Sequence, residues 1–93
     1  MTKKQLFLDR FRDAYKNKEL YYAIAISSPD KKKKEIITNS WVDIPKKIEY
    51  WEEAYNDDLE LIANTDIRIT DYIASSNIYF LDSYMRYWFE HKR

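Results

Sequence analysis

Residues 20–28 read LYYAIAISS, and this stretch decides the fold because its alternate positions differ in size. One row is bulky and includes Tyr22, Ile24 and Ile26, whereas the other row contains the small residues Ala23 and Ala25. Successive side chains of a strand point to opposite faces of its sheet. The stretch therefore predicts a strand that packs a helix on one side and is thinly covered on the other.

A second extended run follows this strand after a turn. Residues 29–30 are Pro-Asp, which favours a turn, and the lysines at residues 31–34 continue it. Residues 35–41 read EIITNSW and are rich in β-branched side chains. The two runs together predict an antiparallel β-hairpin.

Three helices are predicted around the hairpin, over residues 3–18, 45–56 and 77–91. Thr2 and Gln5 have the spacing of a capping box, and Asp43 before Pro45 is typical of a helix start. The apolar stripes at helical spacing are Phe7, Phe11, Ala14 and Tyr15, then Ile44, Ile48, Trp51 and Tyr55, and finally Ile78, Leu81, Met85 and Trp88.

The rest of the chain completes a mixed fold. Residues 67–74 alternate and predict a strand, with a turn at residues 64–66, whereas residues 59–63 fit either a strand or a trailing helical turn. The predicted order is α-β-β-α-β-(β)-α. We expect residues 1–93 to form one small α+β domain, with helices packed on a mostly antiparallel sheet.

The composition excludes several common chemistries. The chain has no cysteine and one histidine, His91, which argues against disulfides, thiolate metal sites and cysteine catalysis. It also has no glycine, so glycine-built phosphate loops are excluded, and tight hairpin turns are expected to use Asn or Asp. We expect no catalytic residue, no cofactor and no metal site. The chain is therefore predicted not to be an enzyme.

The distribution of apolar residues bears on location. Charged residues are frequent near the start, and no apolar run approaches the ~18 residues that a membrane span needs. Neither a signal peptide nor a membrane span is expected. The cytoplasm is the expected location, and the resemblance described below implies that of a host cell.

Acidic residues gather just after the middle of the chain. The net charge is zero, but residues 1–50 carry a net charge of +5 and residues 51–93 a net charge of −5. The sharpest acidic cluster contains Glu52, Glu53, Asp57 and Asp58. Its spacing matches no calcium-binding loop. It is either a partner-binding patch for a basic groove of another protein or a solvated helix face.

Lysines offer an alternative function. Lys31, Lys32, Lys33 and Lys34 form an uninterrupted run, to which Lys46 and Lys47 could add. Such a group would bind nucleic acid with an affinity that falls steeply with salt. Its other interpretation is a solvated loop that protects the edge of the sheet from aggregation.

Aromatic residues surround much of the last predicted helix, and this pattern indicates burial on several sides or an exposed interaction face. We predict a surface for a protein partner or for a two-fold homodimer. The alternative is that the first two helices cover the last one. The candidate partner-binding residues are Tyr79, Tyr84, Tyr87, Trp88 and Phe89.

One resemblance spans about half of the chain. Its features, in order, are YYAIAI at residues 21–26, SPD at 28–30, EIITN at 35–39, KIEYW at 47–51, AYNDDL at 54–59 and IRITDY at 67–72. In this order the chain resembles a group of small phage and prophage proteins of Gram-positive bacteria. The aromatic tail from Ile78 onward departs from that group.

The resemblance implies an accessory phage protein that binds and inhibits or modulates a host protein. A host-defence component is the implied target, such as a CRISPR nuclease, which would make the chain an anti-CRISPR. The group supplies no catalytic residue to carry over. The alternative function remains a small nucleic-acid-associated protein that uses the lysine loop.

Overall fold

A computed structural model describes residues 1–30 and 35–90. The α+β class and the predicted order are confirmed, and residues 60–61 are strand rather than a helical turn. A 3-10 turn, Trp41–Asp43, precedes the second helix. The elements are α1 (Lys3–Lys16), β1 (Tyr21–Ser27), β2 (Glu35–Ser40), α2 (Ile44–Ala54), β3 (Glu60–Leu61), β4 (Asn64–Ser75) and α3 (Ile78–Glu90).

The four strands form one antiparallel sheet in the order β2-β1-β4-β3. β1 lies inside the sheet, where Ile24 is opposite both Ile37 of β2 and Tyr72 of β4. A bulge interrupts the pairing of β1 with β4, and Thr70 is the extra residue. The Thr70 hydroxyl donates to the carbonyl of Ala25 at 3.4 Å, which holds the bulge against β1.

The bulky row of β1 packs against α1 and α2, as its pattern predicted. Phe7 and Phe11 of α1 are fully buried, and their ring centroids lie 4.8 Å and 5.0 Å from that of Trp51 in α2. The Phe11 ring is also 5.3 Å from the Tyr22 ring, edge to face. Aromatic pairs in this geometry each stabilise the fold by about 0.5–1.5 kcal/mol beyond their buried area.

The small row of β1 is fully covered by α3, so the prediction that this face is thinly covered is wrong. Ala23 and Ala25 are fully buried in a second cluster with Leu81 and Trp88. Because the alanines face away from Tyr22, α3 lies on the opposite side of the sheet from α1 and α2. The prediction that the first two helices could cover the last one is therefore wrong.

The helix starts follow local hydrogen bonds. The capping box of α1 is confirmed, with Gln5 N–H donating to Thr2 Oγ1 at 3.1 Å and Thr2 N–H donating to Gln5 Oε1 at 2.9 Å. At α3, Asn77 Oδ1 accepts from the N–H groups of Tyr79 and Phe80. Asp43 precedes α2 but makes no side-chain cap, because a 3-10 turn already leads into the helix.

The predicted turn at residues 64–66 is wrong. These residues open β4, and Leu61 pairs with Asn64 across a two-residue loop at residues 62–63. Asn64 Oδ1 accepts from Asp66 N–H at 3.1 Å, a local bond that also occurs in turns. The polar composition of this segment is therefore compatible with both a turn and an exposed strand end, and it did not distinguish them.

Without glycine, the chain places ordinary residues in the left-handed region. Among the described residues, Lys18 and Leu59 have positive φ, of 54° and 61°. Lys18 follows α1, where Glu19 N–H donates to Ala14 O at 2.9 Å and Lys18 N–H donates to Tyr15 O at 3.2 Å. This is the Schellman motif, with lysine where glycine is usual.

Lys18→Gly is expected to raise the free energy of unfolding by about 0.5–1 kcal/mol, because it removes the Cβ conflict at positive φ and loses only part of that gain to backbone entropy. Chemical denaturation measures the change. Lys18→Ala is the matched control, since it removes the same side chain but keeps Cβ and should leave stability nearly unchanged. A glycine variant no more stable than the alanine variant would contradict strain at this position.

Candidate interaction site

α3 is attached to the sheet by one apolar stripe. Leu81 is 1% exposed and Trp88 is 6% exposed, while Met85 is half-buried against the same cluster. The core stripe predicted for this helix is confirmed at these three positions. Trp88 is therefore a core residue, and its inclusion among the accessible partner-binding residues is wrong.

The opposite side of α3 carries exposed aromatic rings. Tyr79 is 81% exposed, and Phe80, Tyr84 and Tyr87 are each roughly half exposed. Ile78, predicted as core, is 47% exposed because it opens the first turn of the helix, where the chain has just left β4. The side chain of Phe89, another candidate, lies outside the described residues. Tyr79, Tyr84 and Tyr87 thus share one accessible surface, which also includes Phe80.

Ser83 is at the centre of this surface, which we call the outer face of α3. At about 100° per residue, Ser83 lies opposite the buried stripe. Tyr79 and Tyr87 lie about one turn before and after it, and Phe80 and Arg86 lie three residues before and after it. The outer face is therefore small at its centre and bulky at both ends.

Two polar side chains of the outer face, Ser83 and Arg86, bond within the helix. Ser83 Oγ donates to Tyr79 O at 3.0 Å, and Arg86 Nε donates to Asp82 Oδ2 at 3.0 Å. A shallow groove of about 380 Å³ lies beside Ser83, with Tyr84 and Tyr87 on its lining. The Ser83 hydroxyl would therefore keep its hydrogen bond if another apolar surface covered this centre.

The fold divides the acidic candidates into one that pairs with a basic side chain of α1 and three that are exposed. Glu52 pairs with Arg12 of α1 at 2.5 Å, and Lys4 Nζ donates to the backbone carbonyl of Glu52 at 2.6 Å. The basic first half of the chain therefore neutralises part of the acidic second half. The remaining candidates of the cluster are exposed and are Glu53, Asp57 and Asp58.

The candidate lysines do not form one surface in the described part of the chain. Lys31, Lys32, Lys33 and Lys34 lie outside the described residues. Lys46 is exposed on α2, whereas Lys47 is half-buried with its Nζ 6.0 Å from the centre of the Tyr50 ring. Lys47 is held at a pocket rather than presented with Lys46, and the nucleic-acid function stays a prediction.

The pocket beside Lys47 was not predicted from the sequence. It has a volume of about 190 Å³ and lies between α2 and the β1–β2 pair. One lysine, three tyrosines, one tryptophan and three isoleucines line it. The lining residues are Tyr22, Ile24, Ile26, Ile37, Lys47, Tyr50, Trp51 and Tyr55.

The Tyr22 hydroxyl is buried and has no hydrogen-bond partner among the described residues. Burial raises the pKa of Tyr22 to about 12, and the nearby Asp43 carboxylate adds to the increase. Asn39 on β2 partly offsets it but is not placed to complete a hydrogen bond with the hydroxyl. Burial also raises the pKa of Tyr55, with smaller contributions from Tyr50 and Glu35. Both phenols are thus neutral at physiological pH.

Neither a metal-binding group nor a membrane-spanning helix occurs within the described ranges. No three His, Asp or Glu side chains come together there as a metal-binding group. No helix in the same ranges is both long enough and apolar enough to cross a lipid bilayer. Comparison with protein-family models, with curated proteins and with solved structures found no match to the chain. Function is therefore argued from the surface and the pocket.

Tyr22→Phe is expected to raise the free energy of unfolding at neutral pH by about 1 kcal/mol, because it removes a buried hydroxyl that has no partner. It should also change the response to alkali. The pKa of Tyr22 in the folded state lies above that of an unfolded tyrosine, so the unfolded state loses this proton first as the pH rises. The wild type therefore loses no stability through Tyr22 below pH 10 and loses stability progressively as the pH rises towards 12.

Denaturation curves at neutral pH and across this alkaline range provide the measurement. The variant should lose less stability than the wild type in alkali. Tyr79→Phe is the control, because the Tyr79 ring is exposed and its hydroxyl is open to water. Equal losses in alkali for the wild type and Tyr22→Phe would contradict a raised pKa of Tyr22 in the folded state.

Proposed function

We propose that the chain is a non-enzymatic binding protein that pairs with a second copy of itself through the outer face of α3 and binds a host protein in that form. The carrying observation is the row of exposed rings on a helix whose other side is already packed. Tyrosine and arginine are enriched among the residues that dominate protein interfaces. The host target is the one implied by the resemblance to phage proteins.

The order of residues along α3 favours a second copy as the first occupant. In an antiparallel pair with a two-fold axis at Ser83, a residue before Ser83 meets the residue equally far after it in the other copy. Tyr79 then meets Tyr87 of the second copy, and Phe80 meets Arg86. These are an aromatic pair and a cation–π pair, and the two-fold axis repeats each of them.

The centre of the face is also suited to close approach. Ser83 is the smallest side chain on the outer face, and its hydroxyl already has a partner in Tyr79 O. The groove beside Ser83 would receive the protruding Tyr79 ring of the second copy. Every bulky group on one copy therefore has a smaller or complementary group opposite it.

The size of the contact determines its strength. α3 has 13 residues and is about 20 Å long, so a contact along one helix is at the small end of stable interfaces. The dimer should consequently dissociate on dilution rather than persist at all concentrations. This is compatible with a protein that assembles at the concentrations reached inside an infected cell.

Binding of the host target would use a different surface. Glu53, Asp57 and Asp58 are exposed near the end of α2, on the side of the sheet opposite α3. A two-fold dimer would present two such acidic patches. They would suit a basic groove, such as the nucleic-acid-binding groove of a host nuclease, and would accelerate association by electrostatic attraction.

Sedimentation velocity over a concentration series tests the pairing. We expect the wild type to shift from monomer to dimer as concentration rises, and the double variant Tyr79→Ser, Tyr87→Ser to stay monomeric with a melting temperature close to that of the wild type. The control is Tyr50→Ser, because Tyr50 and Tyr87 are both 51% exposed and Tyr50 lies on α2. The control should dimerise normally.

Two results would contradict the pairing. One is a wild type that stays monomeric throughout the concentration series. The other is a host protein bound by the monomeric wild type and lost in the double variant, which would assign the outer face of α3 to the target instead. A large loss of melting temperature in the double variant would mean that these rings support the fold.

A further inference from the structure

β2 forms one edge of the sheet, and its outer side is open in the described part of the chain. The order β2-β1-β4-β3 places β2 and β3 at the two edges. The β3 edge is already bonded, because Asn56 N–H donates to Glu60 O at 2.9 Å and Ile62 N–H donates to Ala54 O at 2.8 Å. No described element pairs with the outer side of β2, so its outward backbone groups face water.

The hydrogen bonds of the β1–β2 pair decide which backbone groups face outward. Trp41 N–H donates to Leu20 O at 3.1 Å, and these two residues continue the register of the pair. In an antiparallel pair, bonded and non-bonded positions alternate along the strand. Every second residue from Trp41 towards the start of β2 therefore bonds to β1. Ile36, Thr38 and Ser40 direct their N–H and C=O groups away from β1.

The side chain of Asn39 agrees with this alternation. Asn39 Oδ1 accepts from Ser40 N–H at 2.8 Å, so this N–H has a partner other than β1. The open edge therefore offers five backbone groups, which are the N–H and C=O of Ile36 and of Thr38 and the C=O of Ser40. They lie at alternate residues, as the bonding of an added antiparallel strand requires.

β2 also lacks most of the usual protection of a free edge. Edge strands are generally very short, bulged, charged or interrupted by proline. β2 has six residues in continuous register with β1, contains no proline, and has its one charged residue, Glu35, at its first position. β3, by contrast, has two residues and a bulge. The difference favours the β2 edge as the place where a strand is added.

The side chains beside the open edge restrict the sequence of an added strand. Ile37 and Tyr50 are 39% and 51% exposed and line the same pocket, so an apolar surface borders the edge on the α2 side. A residue opposite Ile37 in an added antiparallel strand forms a non-hydrogen-bonded pair with it, in which the side chains lie close together. An aromatic or β-branched side chain at this position would cover Ile37 and stabilise the pairing.

We propose that the β2 edge binds an extended segment of another protein as a fifth, antiparallel strand, with an aromatic or β-branched residue opposite Ile37. Such a segment bonds to all five free backbone groups. A second copy of β2 fits less well, because its Ser40 N–H is already bonded to Asn39. In antiparallel pairing, residues 35–40 of two copies can therefore form at most four bonds. The site does not involve the outer face of α3 and is independent of the pairing proposed there.

Amide hydrogen exchange, followed by nuclear magnetic resonance on the full chain, tests the open edge. In the free chain, the Ile36 and Thr38 amides should exchange much faster than the Ile37 amide, because only Ile37 N–H bonds to β1. The probe is the heptapeptide Lys-Thr-Val-Phe-Val-Thr-Glu, capped at both ends, whose phenylalanine would lie opposite Ile37. At millimolar concentration it should slow exchange at Ile36 and Thr38 by about tenfold and leave Ile37 nearly unchanged.

Two matched pairs isolate the backbone bonds. N-methylation of both valines of the probe removes the N–H groups that face β2 and should abolish binding, whereas N-methylation of the phenylalanine removes an outward N–H and should preserve it. In the protein, Thr38→Pro removes an N–H at the open edge, where proline is tolerated, and should weaken binding about tenfold. Thr38→Val keeps this N–H and should bind the probe like the wild type.

Several outcomes would overturn the proposal. They are unchanged exchange at Ile36 and Thr38 with the probe, equal binding of the two N-methylated probes, and undiminished binding by a Thr38→Pro variant that melts like the wild type. Slow exchange at both amides in the free chain that becomes fast on dilution would also overturn it, because a second copy would then occupy the edge. The double variant Tyr79→Ser, Tyr87→Ser should bind the probe like the wild type, so failure of the pairing at α3 would leave this result unaffected.

Discussion

The difference in side-chain size between the two faces of β1 is the constraint on which the rest of the structure depends. β1 lies between β2 and β4, so both of its edges are used for hydrogen bonding and its two faces must be covered by helices. Tyr22 on one face contacts the Phe11 ring of α1, and this face accommodates two helices rich in aromatic residues. Ala23 and Ala25 on the other face leave room for one helix to lie close to the backbone. A larger side chain at either alanine would separate α3 from the sheet at a cost of about 1–3 kcal/mol.

This division also explains how a small chain uses so many aromatic residues. Phe7, Phe11 and Trp51 form the core between these helices and the sheet, where one edge-to-face and two tilted ring contacts hold them together. On the other side of the sheet, one buried stripe attaches α3 to a face whose centre is formed by Ala23 and Ala25. The aromatic residues on the outer face of α3 lie away from this stripe, and an interface is the role that we propose for them.

Much of the fold was predictable from the sequence, because each helix and strand follows a simple periodicity. The size alternation of β1 and the apolar stripes of the helices gave the elements and the mixed class correctly. Ile78 was misplaced because a helical pattern does not say where the sheet beneath it ends. Trp88 belongs to the apolar stripe that predicts burial, so the pattern itself argued against counting Trp88 among the accessible residues. The pocket could not be predicted at all, because it lies between side chains of β1, β2 and α2, whose relative positions only the folded chain fixes.

The central claim is that two copies meet at Ser83 on the outer face of α3, and the absence of cysteine from the chain allows a direct measurement. At ordinary helix spacings, an antiparallel pair brings the Cα atoms at its axis to about 5 Å, which is within the range of a disulfide. Ser83→Cys should therefore form a covalent dimer rapidly on mild oxidation. Thr65→Cys, at an exposed position at the start of β4, should stay monomeric under the same conditions. Equal or slower cross-linking of Ser83→Cys would contradict the account.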